Sequence, residues 1–445
     1  MTLIIQLMIQ VMQMKVTDNN WNISKVEFCE EYPQLSSKLL DKTLEYLSQE
    51  GSFVIFPDKL ENSDDLNKDC KVIESINDKV KTSNVVGFVG LNDESLVIQS
   101  RFSENDDFFL HYMLQRVMSI NVIDLPVNIS FENRLYFFLI YLFPNYLKSA
   151  FKKGIYKEYH KFEYNDNRVR GNIDIVKHLK YNIPFAGNIA YSTRELTAQN
   201  NVMLLIRDTI EYLKSSQIGR QVLKADAEVT QFINEVIQLT PEYDVNQKNK
   251  VIEYNRLNPV RHAYYHDYHK LQKLCLMILD RRKHGIGNNR NKIFGILIDI
   301  AWLWEEYLNT LLKRWFVHPE NRKGTHRVFL YTNHKHPVYP DFFSNENKLV
   351  LDAKYKKIEG TSINREDLYQ IITYSHILKS KKAGILYPST KDTMYEIQGI
   401  LDGFGGEIFK QSLLIPQNCK SYSQFVEQIK QSEIQFLEQL GAEAR

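Results

Sequence analysis

Tyr339-Pro-Asp-Phe-Phe343 and Lys348-Leu-Val-Leu-Asp-Ala-Lys-Tyr355 are two short apolar runs, each with a carboxylate at one end. The second reads as a buried strand, and Arg327-Val-Phe-Leu-Tyr331 ahead of it reads as another. Side chains alternate between the faces of a strand, so Asp352 and Lys354 project together while Leu351 and Ala353 face the other way. Asp341, arriving on a neighbouring strand, is placed to share one divalent cation with Asp352. A hard cation such as Mg²⁺ takes oxygen ligands and needs only one or two protein carboxylates, which leaves room for water and a phosphate oxygen. An ammonium beside it, here Lys354, orients an attacking water or neutralises developing charge. These residue types point to metal-assisted hydrolysis of a phosphodiester. Asp after Pro is also a common turn choice and a D-x-K triplet alone is a weak signal, so the flanking sequence has to carry the reading.

The flanks agree. Upstream, the pattern from Phe294 to Phe316 predicts a helix in which Trp304, Leu308, Leu311 and Trp315 form a 3.6-residue stripe, with Glu305 beside it. Glu305 is either a solvated helix-surface carboxylate or a further oxygen near the metal. Downstream, Glu366 to Ser375 predicts the start of a helix, with Gln370 and Tyr374 four apart on one face.

The order Glu305, Pro340-Asp341, Asp352-Ala-Lys354 and Gln370-x-x-x-Tyr374 resembles the PD-(D/E)xK nuclease superfamily, and within it the McrC family, the nuclease subunits of McrBC 5-methylcytosine restriction systems. The string Leu351-Asp-Ala-Lys-Tyr-Lys356 is especially similar. A second block, Arg168-Val-Arg-Gly-Asn-Ile-Asp through Pro184 and then Tyr191-Ser-Thr-Arg-Glu195, resembles the central part of McrC-like proteins. The resemblance covers about residues 165 to 390. It implies Mg²⁺ ligation by Asp341 and Asp352, with Lys354 as the catalytic lysine. It also implies Glu305 as an acidic accessory, and Gln370 with Tyr374 as a substrate-contacting or supporting element. The implied partners are a McrB-like AAA+ GTPase hexamer and DNA that is methylated or otherwise modified. The chain has no G-x-x-x-x-G-K-[ST] loop and would borrow any nucleotide-driven motor.

Length and charge set looser bounds. The chain has 445 residues and a formal net charge of +2, nearly neutral for a protein that would grip DNA unaided. That balance favours a subunit of a larger complex with local positive clusters, such as Lys313-Arg314 with Arg322-Lys323 and Arg327, or Lys354 to Lys357. The four cysteines are scattered without a C-x-x-C pair, so no structural zinc or disulfide framework is expected, and the cytoplasm is the natural compartment. The apolar start, residues 1–12, is short, broken by glutamines and lacks a basic leader, and no run is long enough to cross a bilayer.

The expected fold class is α+β in three domains. Residues 1–130 form a β-rich N-terminal domain, with strands at Ser52–Phe56, Val85–Gly90 and Ser95–Gln99 and a polar loop at Glu61–Asp69; in a McrC-like protein this domain docks on the AAA+ ring. Residues 131–288 form a helical middle domain, and residues 289–445 an α/β PD-(D/E)xK nuclease domain, in which a mixed sheet is flanked by the Glu305 and Gln370 helices. The aromatics Tyr136, Phe137, Tyr141 and Phe143 are read as core. Lys148 to Lys161, interleaved with Tyr156, Tyr159 and Phe162, is a candidate contact for nucleic acid or a partner. His262, His266 and His269, with the first pair at i and i+4, lack the motif of a zinc enzyme. Two further functions stay open, a RecB-like exonuclease and a non-catalytic DNA-binding adaptor that activates an AAA+ GTPase.

Overall fold

The structure, a computed structural model, describes residues 14–49, 53–57, 69–92, 94–103, 107–118, 131–224, 226–280, 293–319, 327–344, 346, 348–358, 363–392, 394–403 and 405–441. The apolar start, most of the polar loop at Glu61–Asp69, Arg322-Lys323 and both expected domain boundaries, at 130 and 288, lie outside them. The chain divides into two compact units, Met1–Leu135 with Ile286–Arg445, and Tyr136–Gly285.

In the first unit, five strands make the N-terminal sheet: β1 (Val16–Thr17), β2 (Phe53–Phe56), β3 (Val85–Leu91), β4 (Glu94–Gln99) and β5 (Phe294–Asp299), in the order β1-β4-β3-β5-β2. Every residue of β3 is buried, as expected of a strand covered on both faces. A small antiparallel sheet (Ile23–Ser24, Lys79–Thr82, Ile73–Ile76) shares its core with β1 to β5 through Phe28, Leu35, Val72, Val80 and Leu96.

β5 overturns part of one expectation. The helix expected from Phe294 to Phe316 starts only at Ile300, as α2 (Ile300–Leu312), and Phe294–Asp299 is extended between β3 and β2. Two features decide this. The run Ile293-Phe-Gly-Ile-Leu-Ile298 is continuously apolar, and Gly295 lets β3 come close, because a Cβ there would sit 2.5 Å from the Phe88 carbonyl oxygen. Asp299 then ends the strand and caps the helix, its side chain accepting from the Ala301 and Trp302 N–H groups at 3.0 and 3.1 Å.

The same unit holds the C-terminal sheet: β6 (Phe342–Ser344), β7 (Leu349–Ala353), β8 (Lys382–Ser389), β9 (Tyr395–Ile400) and β10 (Glu407–Leu414), in the order β6-β7-β8-β10-β9. β7, β8 and β10 run parallel, and both edges are antiparallel. The crossover from β7 to β8 is α3 (Arg365–Leu378), whose Ile371 and Tyr374 pack on Val350, Ala383 and Ile385. α1 (Phe108–Val117), α2 and the C-terminal helix α4 (Tyr422–Gln439) meet at Glu433, whose Oε1 accepts from Tyr112 and Tyr307 at 2.9 and 2.7 Å.

The second unit is mainly helical, with Asn201–Lys214 at its centre against Ala227–Leu239, Lys248–Leu257 and His266–Asp280. Tyr141 and Phe143 are buried as expected of core aromatics. A three-stranded antiparallel sheet (Glu158–Asp166, Ile189–Thr197, Asn172–Ile173) carries a short helix, Ile175–Tyr181, that buries none of its side chains. Tyr156 is buried, whereas Tyr159 and Phe162 are exposed. His262 precedes the helix that His266 begins, so those two do not share a helix face. Among the described residues, no helix is long and apolar enough to cross a membrane.

Candidate active site

The site is built on the antiparallel pair β6 and β7. Phe342 faces Leu351, Phe343 faces Val350 and Ser344 faces Leu349; continued by one residue, this register sets Asp341 opposite Asp352. The pair forms because Phe342, Val350 and Leu351 are fully buried apolar residues. The outer side of β6 is closed by Val317 and Phe343, which exchange backbone hydrogen bonds at 2.8 and 3.0 Å.

Asp352 is 1% exposed, and the Lys354 ammonium, two residues along on the same face, lies 2.9 Å from its Oδ2. Lys354 Nζ also donates to Gln370 Oε1 at 2.9 Å, and Gln370 Nε2 donates to the Tyr374 hydroxyl at 3.0 Å. One turn of α3 therefore holds the lysine by a second contact, besides the one from β7. The start of that helix is fixed in turn by Lys356, whose Nζ reaches both Asp367 oxygens at 2.9 and 3.0 Å. Across the strands, Asp341 Oδ2 accepts from the Ala353 N–H at 2.6 Å.

The electrostatics follow from this crowding. Burial pushes the Asp341 carboxyl well above its ordinary range, and the negative charges of Glu305 and Asp352 push it further; Lys354 and the Ala353 N–H only partly offset them. Burial alone would lower the Lys354 pKa, but the Asp352 and Asp341 charges and the Asp352 hydrogen bond outweigh it and raise it, so the ammonium stays charged. The centre is thus rich in carboxylate, with one fixed cation on one flank.

Glu305, half-buried on α2, joins the group indirectly. Its Oε1 lies 3.6 Å from His318 Nε2, and Glu306 Oε1 lies 3.9 Å from the same atom. His318 Nδ1 is hydrogen-bonded to the Asp341 carbonyl at 2.7 Å, and its ring stacks on Phe342 at 4.9 Å. Burial disfavours the imidazolium, but Glu306, the Asp341 carbonyl and nearby negative charge prevail and raise the His318 pKa. The structure thus brings Asp341, Asp352, Lys354, Gln370 and Tyr374 into one contact chain and adds Glu305 through His318, a residue that no linear spacing singles out. Among the described residues, no group of three or more His, Cys, Asp or Glu side chains is arranged to hold a metal ion.

Fold and site together define a mixed α+β protein with a buried acidic centre at the end of a five-stranded sheet, anchored by one lysine. The chain belongs to the family of McrBC 5-methylcytosine restriction system components, whose model matches residues 80–388, more than half of its length. Among solved structures, a refined half-complex from a tetradecameric assembly of Thermococcus gammatolerans McrB AAA+ hexamers with bound McrC aligns at 14% identity and a TM-score of 0.42, covering 94% of this chain and 99% of that one. A cryo-EM structure of the Thermococcus gammatolerans McrBC complex aligns at 16% identity and a TM-score of 0.31, covering 68% of this chain and 87% of that one. No curated protein matches.

Proposed function

We propose that this chain is the nuclease subunit of a McrBC-like, modification-dependent restriction system in the cytoplasm: a Mg²⁺-dependent endonuclease that cuts modified DNA and stimulates a GTP-hydrolysing AAA+ hexamer. The observation that carries the reading is the contact chain Asp352–Lys354–Gln370–Tyr374 facing Asp341 across one strand pair. The parallel strands β7, β8 and β10 with the acidic pair at one edge support reading this as a PD-(D/E)xK nuclease sheet.

The donor set fits a hard cation. It offers carboxylate oxygens in a place where burial first, and then the charges of Glu305 and Asp352, already raise Asp341, and a pair is as many protein carboxylates as Mg²⁺ commonly takes. Asp341 and Asp352 would hold the ion, which when bound lowers the pKa of a ligated water and polarises the scissile phosphate. Lys354, held protonated, acts as a hydrogen-bond donor and charge compensator and not as a general base. Gln370 and Tyr374 fix where that ammonium points, and Glu305 adds negative potential from α2.

A separate motor is favoured by membership of a restriction-system family together with the missing phosphate-binding loop. The docking surface expected within residues 1–130 has a competitor in the second unit. Around the small sheet and its short helix, Tyr159, Ile175, Val176, Leu179, Ile183 and Phe185 are all more than half exposed. Apolar exposure on that scale marks a protein contact.

The test is reconstitution with a McrB-like AAA+ GTPase on modified plasmid DNA. Mg²⁺-dependent internal cleavage that vanishes in Asp352→Ala, with GTPase stimulation retained, supports the proposal. Stimulation without any cleavage leaves the adaptor, and degradation confined to DNA ends leaves the exonuclease.

A further inference from the structure

The sheet stops holding the backbone at Lys354. Its N–H makes a last hydrogen bond to the Leu386 carbonyl at 2.8 Å, and β7 has already ended at Ala353. The next residue, Tyr355, is 3% exposed and inserts into the N-terminal sheet's territory, with its Oη 2.6 Å from Ser100 Oγ. Phe102 meets its ring edge-on at 5.0 Å, Trp304 lies at 6.2 Å, and the Arg101 guanidinium stands 5.4 Å from the ring centre.

The turn that receives Tyr355 is itself immobilised. Arg101 donates to Asp18 from its backbone N–H at 2.6 Å and from Nε at 2.7 Å, and its Nη2 donates to Asn84 Oδ1 at 2.6 Å. Both members of the Asp18–Arg101 pair are nearly solvent-free, and the Phe102 N–H donates to Ser100 Oγ at 3.1 Å. A rigid turn after β4 therefore grips the residue beside Lys354.

We infer that Tyr355 is a positioning residue, and that its hydroxyl contact with Ser100 makes the N-terminal sheet part of the device that aims Lys354 between Asp352 and Gln370. This rests on the reading of Lys354 as the catalytic lysine. A buried tyrosine serving only as filler would be replaceable by phenylalanine, whereas one that sets direction is not. A pivot one residue from the ammonium converts a small backbone rotation into a displacement large enough to misplace the charge.

The experiment uses Tyr355→Phe, Ser100→Ala and the double variant in the full-length chain. Brief acetylation at fixed pH, quantified by mass spectrometry with the buried Lys410 as internal reference, reads how firmly Lys354 is held. Each single variant is expected to raise Lys354 labelling at least about threefold relative to Lys410, and to lower turnover about tenfold with little change in KM for DNA. The double variant should be no worse than Ser100→Ala alone, because that substitution already removes the Tyr355 contact along with the Phe102 N–H bond. Tyr355→Phe placed on Lys354→Ala should cost no further activity. Unchanged Lys354 labelling in both single variants overturns the inference, as does a further loss on the Lys354→Ala background. Labelling needs no catalysis, so a wild-type chain that cuts nothing removes the nuclease reading while leaving the positioning result legible.

Discussion

Lys354 sits between two partners at equal distance, Asp352 and Gln370, both at 2.9 Å. Gln370→Ala is therefore expected to lower single-turnover cleavage about ten- to a hundredfold while sparing DNA binding. Tyr374→Phe should cost less, because its hydroxyl touches the lysine only through Gln370. Lys354→Arg should not rescue, since a planar guanidinium cannot occupy the place of a compact ammonium. His269 offers a separate prediction. Burial first, then the nearby Lys273, His266 and Lys270 charges, lowers its pKa to about 4, and its Nδ1 is buried with no hydrogen-bond partner among the described residues. The folded state thus binds this proton less readily than the unfolded chain, whose histidine titrates at about 6.5. Stability from this residue is complete above about pH 6.5 and is lost as pH falls towards 4. His269→Gln should flatten that acid loss, measured by urea unfolding at several pH values; equal acid sensitivity in both proteins contradicts it.

At the scale of elements, Glu433 and Gly87 carry the clearest consequences. Glu433→Ala strands two buried phenols, Tyr112 and Tyr307, and should cost about 2–4 kcal/mol in the unfolding of the unit that joins α1, α2 and α4. Gly87 has φ +142°, and an added Cβ would sit 2.0 Å from the Ile296 carbonyl oxygen. Gly87→Ala should thus loosen β3 from β5 at a cost of at least about 2 kcal/mol, checked by the same denaturation assay. Gly87 also bears on what was legible in the sequence. The apolar runs around Val85, Ser95 and Val350 declared their strands, and the two-residue alternation put Asp352 and Lys354 on one face. β5 is not legible because an apolar run leading into a helical stripe has no internal boundary beyond Asp299, and its partner strands, Val85–Leu91 and Phe53–Phe56, are far away in the sequence. His318 is unreadable for the same reason, since only folding brings the segment after α2 against Asp341. Likewise, nothing in the linear order joins Tyr355 to Ser100.

For the whole molecule, cutting and motor stimulation are expected to separate by unit. The proposed catalytic groups all lie in the unit formed by Met1–Leu135 and Ile286–Arg445, while the exposed apolar segment lies in Tyr136–Gly285. Ile175–Tyr181 buries none of its side chains, so charged substitutions there remove no core contact and should change stability by no more than about 0.5 kcal/mol. The same substitutions would place charge in the middle of the proposed docking surface. Val176→Asp with Leu179→Asp is expected to fold normally yet lose stimulation of the AAA+ partner's GTP hydrolysis, whereas Asp352→Ala should stimulate fully and cut nothing. Parallel GTPase and plasmid-cleavage assays on the two variants read both halves of this dissociation. If the doubly charged variant stimulates as well as wild type, the apolar segment is not the motor contact and docking returns to the N-terminal domain expected within residues 1–130. Charge substitutions at exposed positions such as Trp21 and Ile76 should then abolish stimulation instead.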